Sequence, residues 1–159
     1  MDRNRFIIKP CQHGLGVFAN VNFHAQDIIT TMSGRLITGP AAAALKPDEM
    51  ANSIQIAESS YLEVGSPYVY FNHSCQPNAG LRPSLELVAL KNIKKGDEIF
   101  FDYSTTMGDG TWQMECHCQS SQCRKLIIDF WYLSPSLQTE YISLGIVQEF
   151  LKISTSRSG

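Results

Sequence analysis

Apolar positions alternate with polar ones over most of the chain up to about residue 103, a period that favours strands over helices. Phe6–Lys9 and Val17–Ala19 read as two strands flanking the glycine-bearing "HGLG" of His13–Gly16. Ile28–Ile37 is interrupted by Ser33-Gly34, a turn signal, and is expected to form two short strands joined there. "PAAAALKPDEMAN" (Pro40–Asn52) is the first helix-prone stretch, with Pro40 suited to a first turn and Pro47 limiting its length. "SIQIAESSYLEV" predicts a hairpin turning at Glu58-Ser59, and "LELVALKNI" and "EIFFDY" two more strands joined by the Lys95-Gly96-Asp97 turn.

After Lys125 the period changes. In "LSPSLQTEYISLGIVQEFLK", Leu137, Tyr141, Leu144, Val147 and Leu151 recur at helical spacing. Ser134 or Ser136 is available as a cap, and Gly145 should kink or divide the helix. The closing "ISTSRSG" is polar, small-residued and expected to fray. No internal repeat or long linker is visible, so 159 residues describe one mostly β domain with helices at its end.

Composition narrows the class. With 43% hydrophobic and 18% charged residues the chain has the make-up of a globular protein. Net charge is −2, so no global basic field draws it to nucleic acid. The basic cluster "KNIKK" (Lys91–Lys95) reads as a solvated turn. "MDRNRFIIKP" lacks a signal-peptide apolar region and no run reaches membrane-spanning length. The expected setting is intracellular, nucleus or cytoplasm, without a membrane partner.

The chain has five cysteines, an odd number that argues against a disulfide framework. Three are crowded in "CHCQSSQC" as Cys116, Cys118 and Cys123. Thiolates one residue apart reach a common ion only where the backbone turns sharply, and a third then arrives from the next turn. Structural zinc takes four such ligands at about 2.3 Å. A fourth must come from elsewhere: Cys75 and Cys11 are the thiol candidates, with His117 and His13 as substitutes. The alternative is that these are buried or free thiols.

Cys75 lies in "VYFNHSCQPNAG" (Val69–Gly80), which crowds hydrogen-bonding side chains beside a thiol where a strand should fill a core. Four stretches occur in one order: "GLGVFA" (Gly14–Ala19), "FNHSCQPN" (Phe71–Asn78), "KKGDEIFFDY" (Lys94–Tyr103) and "CHCQSSQC". Together they resemble a SET-domain protein lysine methyltransferase with its post-SET zinc segment. The resemblance covers Arg5–Lys125.

It implies a SET-type β-clip of small sheets with a knot-like crossing, a zinc-binding post-SET segment and C-terminal helices. The boundaries expected are 5–112 for the SET domain, 113–128 for the zinc segment and 129–153 for the helical extension. By the same resemblance the activity is transfer of methyl from S-adenosylmethionine to a lysine side chain of a histone-like or other basic peptide. Asn72 would hold the cofactor through its side chain and His73 through its backbone, with the His13, Gly14, Leu15 and Gly16 backbone opposite and His117 nearby. Zn2+ would be bound by Cys75, Cys116, Cys118 and Cys123. Tyr103 would be the hydroxyl at the transfer point, and Phe101 the residue controlling how many methyl groups fit; a phenylalanine there allows di- or trimethylation. Two other readings stand beside this one: a fold that binds the cofactor but acts on a small molecule, and a non-catalytic, zinc-stapled interaction module. Oligomeric state is not legible.

Departures from the family pattern are Gln119 where a glycine is frequent, Leu15 where an aromatic is frequent, and Met32 where a pocket tyrosine is frequent. Trp112, Trp131 and Tyr132 are candidates to cover the adenine side, against ordinary core packing.

Overall fold

A computed structural model describes residues 4–110 and 112–155. In chain order the strands and helices are β1 (Phe6–Cys11), β2 (Gly14–Ala19), β3 (Ile28–Thr31), β4 (Gly34–Thr38), α1 (Gly39–Ala43), α2 (Pro47–Ala51), β5 (Ser53–Ala57), β6 (Ser60–Val64), β7 (Asn72–His73), β8 (Ala79–Leu81), β9 (Glu86–Ala89), β10 (Phe100–Phe101), β11 (Met114–Glu115), β12 (Leu126–Ile127), α3 (Pro135–Ser143) and α4 (Glu149–Thr155). They make five small sheets: β1-β2, β10-β7, β11-β12, β3-β9-β8 and β4-β6-β5.

The β1-β2 hairpin pairs from Phe6↔Ala19 to Cys11↔Gly14. The second strand thus begins three residues before the expected Val17, because the glycine stretch joins the ladder instead of looping out. Ser33-Gly34 separates two strands as predicted, but they belong to different sheets. β3 pairs with β9, and β4 with β6. The hairpin turning at Glu58-Ser59 is present as β5-β6.

The expected helix over 40–52 is two short ones. Pro47 opens α2, and Lys46 before it is extended at ψ 159°, since a proline ring disfavours helical geometry in its predecessor. "LELVALKNI" and "EIFFDY" do not pair with each other. β10 instead runs parallel to β7, Phe100 opposite Asn72 and Phe101 opposite His73. Asn78 fixes this crossing by donating to the Glu98 carbonyl at 2.8 Å and accepting from the Phe100 amide at 2.8 Å.

The main core gathers Phe23, Ile29, Met32, Phe71, Leu81, Leu87, Ile93, Ile99 and Phe101 between these sheets. A second core, built on Phe130, Leu133, Tyr141, Ile146, Val147 and Leu151, reaches the first sheet system through Val88. Ser134 caps α3, accepting from the Leu137 amide at 3.4 Å. Gly145, at φ +70°, ends that helix in a conformation glycine tolerates best. Helical backbone continues through Thr155, and the rest of the tail expected to fray, residues 156–159, lies outside the described residues. No helix among the described residues is long and apolar enough to cross a membrane.

Candidate functional site

β11 and β12 pair antiparallel, and the Cys116 amide donates to the Lys125 carbonyl at 2.9 Å, so the segment between them is a closed loop. Its sharp turns pass through Gln119 at φ +55° and Lys125 at φ +66°. A left-handed backbone explains why glycine suits position 119; glutamine adopts it here at some strain. This loop brings Cys116, Cys118 and Cys123 to Cys75, whose chain segment leaves β7. The four sulfur atoms all lie within 4.8 Å of one another, and the Cys75–Cys116 pair is 3.7 Å apart. A tetrahedron with bonds of about 2.3 Å has edges of about 3.8 Å, so the donor set suits zinc in number and kind, and the Cys75–Cys116 pair already has the spacing of such an edge.

Backbone amides point at the sulfurs: Cys75 N–H toward Cys118 at 3.5 Å and Arg124 N–H toward Cys75 at 3.4 Å. Burial pushes the Cys116 thiol up. Burial acts the same way on Cys118, but hydrogen bonds from Ser120 and the Cys75 amide outweigh it and draw that thiol well below its ordinary range. Cys11 is not part of this group; its sulfur sits 3.4 Å from the Asn72 side-chain nitrogen. His117 turns outward, 3.4 Å from Glu115 and 71% exposed.

Next to the cysteines is a cavity lined by His13, Asn72, His73, Tyr103, Met114, Glu115 and His117, among others. The Asn72 amide donates to the Leu15 carbonyl at 3.0 Å and to Glu98 Oε1 at 2.9 Å, tying the β1-β2 hairpin to β7. Gly16 makes that approach possible: a Cβ there would lie 2.2 Å from Glu98 Oε1 and 3.1 Å from Asn72 Nδ2. Gly14, Leu15 and Gly16, expected beside the cofactor, are absent from the described lining of this cavity. Buried His73 accepts from the Tyr103 amide through Nδ1 at 3.2 Å, and its Nε2 faces Cys75 Sγ at 3.3 Å. Burial, only partly opposed by Asp102, holds its pKa at about 4, so the ring is neutral with the proton on Nε2.

A second, largely aromatic cavity lies on the other side of Tyr103, lined by Met50, Tyr61, Tyr68, Phe71, Phe101 and Trp112, with Asp109. Among the described residues, Tyr103 is common to both linings. Its hydroxyl donates to the Phe71 carbonyl at 2.8 Å, and its ring lies 4.9 Å from that of Phe101. Burial, with Glu98 adding to it, raises the Tyr103 pKa, so this group is a neutral phenol. Phe101 faces the aromatic cavity alone.

Met32 is 2% exposed and packed in the main core, away from either cavity. The aromatic cavity does carry a hydroxyl from another strand, that of Tyr61, which donates to the Asp109 carboxylate. Neither residue was marked by the sequence pattern, because Tyr61 reads as an ordinary strand residue and Asp109, between two glycines, as a turn. Of the residues considered for an adenine cover, Trp112 lines the aromatic cavity, Trp131 packs on the C-terminal core and Tyr132 is exposed. None lines the histidine-bearing cavity.

Comparison with known proteins agrees with this geometry. The sequence model of the SET domain matches residues 14–104. The chain is 24% identical over 137 residues to histone-lysine N-methyltransferase 2D of Homo sapiens, covering 77% of this chain and 2% of that protein. It is 28% identical over 120 residues to methyltransferase flvH of Aspergillus flavus, covering 74% of this chain and 67% of that one. Histone-lysine N-methyltransferase ATX2 of Arabidopsis thaliana is 24% identical over 136 residues, 74% of this chain and 12% of that protein. The chain therefore spans a small fraction of the human and plant relatives.

Proposed function

The chain belongs to the SET-domain family, and on that premise we propose that it is a methyltransferase that uses S-adenosylmethionine to methylate a lysine side chain of a protein or peptide. The observation carrying this reading is Tyr103 as the wall shared by two cavities of different chemistry. One carries histidine and asparagine side chains and lies against the cysteine group; the other is largely aromatic, with Asp109 at its wall. Two reactants entering from opposite sides would meet at one phenol.

The first cavity suits the cofactor, with Asn72, His73, His13 and His117 as polar neighbours and Met114 and Ile127 as apolar ones. The cofactor supplies an electrophilic methyl group on a sulfonium. The protein's part is to receive and align the amine. A lysine ammonium has a pKa near 10.4 in water, and entry into an aromatic, water-poor channel disfavours the charged form. The rings of Tyr68, Phe71, Phe101 and Trp112 suit both the aliphatic stem and a cationic head. Asp109 and the Tyr61 hydroxyl offer acceptors for the incoming ammonium, and Tyr103 offers its oxygen at the transfer point. Alignment of this kind can supply much of a bimolecular reaction's barrier lowering.

The four cysteines would hold zinc as a closed structural site, fixing the loop that carries Met114 to His117 against the cofactor cavity. The units proposed are 5–112 for the SET domain, 113–128 for the zinc segment and 129–153 for the extension. Phe101 lacks a hydroxyl that would obstruct further rounds, so di- and trimethylation are sterically open. A histone tail or another basic peptide is the substrate class favoured, and no nucleic acid or membrane contact is required.

The test is incubation with methyl-labelled cofactor and a panel of histone-tail and other lysine peptides, followed by site-resolved mass spectrometry. Label on lysine supports the reading. Cofactor binding with no peptide labelled would favour a small-molecule acceptor, and no cofactor binding would favour a non-catalytic module.

A further inference from the structure

Asp102, immediately before Tyr103, has a side chain with no solvent exposure. A buried carboxylate is costly unless its charge and lone pairs are matched. Here donors come from three parts of the chain. The Arg124 guanidinium grips it in a fork, Nη1 to Oδ2 at 2.7 Å and Nη2 to Oδ1 at 2.9 Å. The Tyr141 hydroxyl donates to Oδ2 at 2.9 Å, and the Ser104 amide to Oδ1 at 3.1 Å.

The sources of these donors matter. Arg124 directly follows Cys123, and its own amide points at Cys75 Sγ. Tyr141 is on α3, beyond the stretch 14–104 that the family pattern covers. The same C-terminal region grips the turn Tyr103–Thr106 and the residue after it: the Gln148 amide donates to the Thr105 carbonyl at 3.3 Å, and the Phe130 amide to the Met107 carbonyl at 2.9 Å. Asp102 is therefore a three-way junction joining the cysteine loop, the turn that begins at Tyr103, and the C-terminal helices.

We infer that Arg124 and Tyr141 are positioning residues for Tyr103, and that the C-terminal helices are a working part of the transfer site. Both side chains act through Asp102 and touch neither cavity. With the carboxylate held from two sides, the backbone of Tyr103 is fixed against His73 and its hydroxyl against Phe71. Releasing either donor lets the phenol shift without emptying either cavity, and displacement by about 1 Å is enough to impair a preorganised site.

This inference rests on the reading of Tyr103 as the group facing the methyl donor, and the experiment separates the two. The full chain is loaded with S-adenosylmethionine carrying a 13C methyl group, and the bound methyl resonance is recorded by proton–carbon NMR. A C–H group contacting an oxygen is deshielded, so the bound methyl of the wild type should lie downfield of the Tyr103→Phe protein. Tyr141→Phe removes one hydroxyl and keeps the ring packing; Arg124→Lys keeps the charge and removes the fork. Each is expected to move the resonance by at least about half of the Tyr103→Phe displacement. Cofactor affinity by calorimetry should stay within about threefold of wild type, with unchanged metal content. If Tyr103→Phe moves the methyl while Tyr141→Phe and Arg124→Lys leave it at the wild-type position, the positioning role is wrong and the reading of Tyr103 stands. A methyl unmoved in all three overturns both.

Discussion

Replacing Cys75 by serine changes one atom in the group of four sulfurs and tests how the two ends of the fold are joined. The structure places Cys75 Sγ 3.7 Å from Cys116 Sγ, an edge length suited to a shared tetrahedral ion. Structural zinc sites bind with apparent free energies of about 10–16 kcal/mol, so one ligand of four accounts for roughly 3–4 kcal/mol, or a 10²–10³-fold loss of metal affinity. While the site is still saturated, that loss lowers folding stability by the same roughly 3–4 kcal/mol through mass action. For a chain of this length the melting temperature should then fall by about 6–16 °C. The assay combines metal content per chain, thermal melting in the presence and absence of chelator, and cofactor affinity by calorimetry. Cys75→Ser should bind metal about 10²–10³-fold more weakly, yield it to a chelator that leaves the wild type loaded, and bind the cofactor more weakly as well, whereas Cys11→Ser should keep its metal. Full metal retention by Cys75→Ser with an unchanged melting curve would refute the four-sulfur assignment and send the search for the fourth ligand elsewhere.

Other outcomes follow from the aromatic cavity and the C-terminal core. Phe101→Tyr places a phenol beside Tyr103 and should shift products toward monomethyl-lysine by mass spectrometry; an unchanged distribution would remove Phe101 from product control. Asp109→Asn keeps the shape of the pair with Tyr61 but removes its charge, and should raise KM for a lysine peptide about tenfold with kcat nearly unchanged. Steady-state kinetics showing an unaltered KM would mean that the carboxylate does not meet the substrate. Leu151, on α4, is fully buried with its side chain against Gly108. Leu151→Ala should therefore cost about 2–5 kcal/mol, measured by urea unfolding; a cost below about 1 kcal/mol would show that the helices are only loosely docked.

Much of the site was legible because its chemistry is concentrated in short stretches. Asn72, His73 and Cys75 sit within four residues, and the later cysteines within eight. What the pattern could not give was partnership between distant strands. "EIFFDY" has a clear strand signature, but its pairing with Asn72-His73 is a long-range parallel contact of two residues, too short to leave a periodic trace. The splitting of the 40–52 helix was implicit in Pro47, whose ring keeps Lys46 extended and whose fixed φ suits the first turn of a new helix, so it does more than shorten the first. Met32 shows a different limit. Judged by position it looked like a lost pocket hydroxyl, whereas it fills the core, and a hydroxyl in the aromatic cavity comes from Tyr61 on β6, in a different sheet from β3. Asp102 was not marked by the sequence pattern, and its partners could not be read from it, since Arg124 and Tyr141 lie 22 and 39 residues downstream.

The central claim is that one phenol separates two reactants that enter from opposite faces. Crystallography of the complex with S-adenosylhomocysteine and a lysine peptide tests it directly. The account predicts the cofactor product in the cavity of Asn72 and His117, the lysine stem between Tyr61, Phe101 and Trp112, and the Tyr103 hydroxyl at the gap between sulfur and amine. A lysine bound outside the aromatic cavity, or a cofactor product seated away from Asn72, would contradict it.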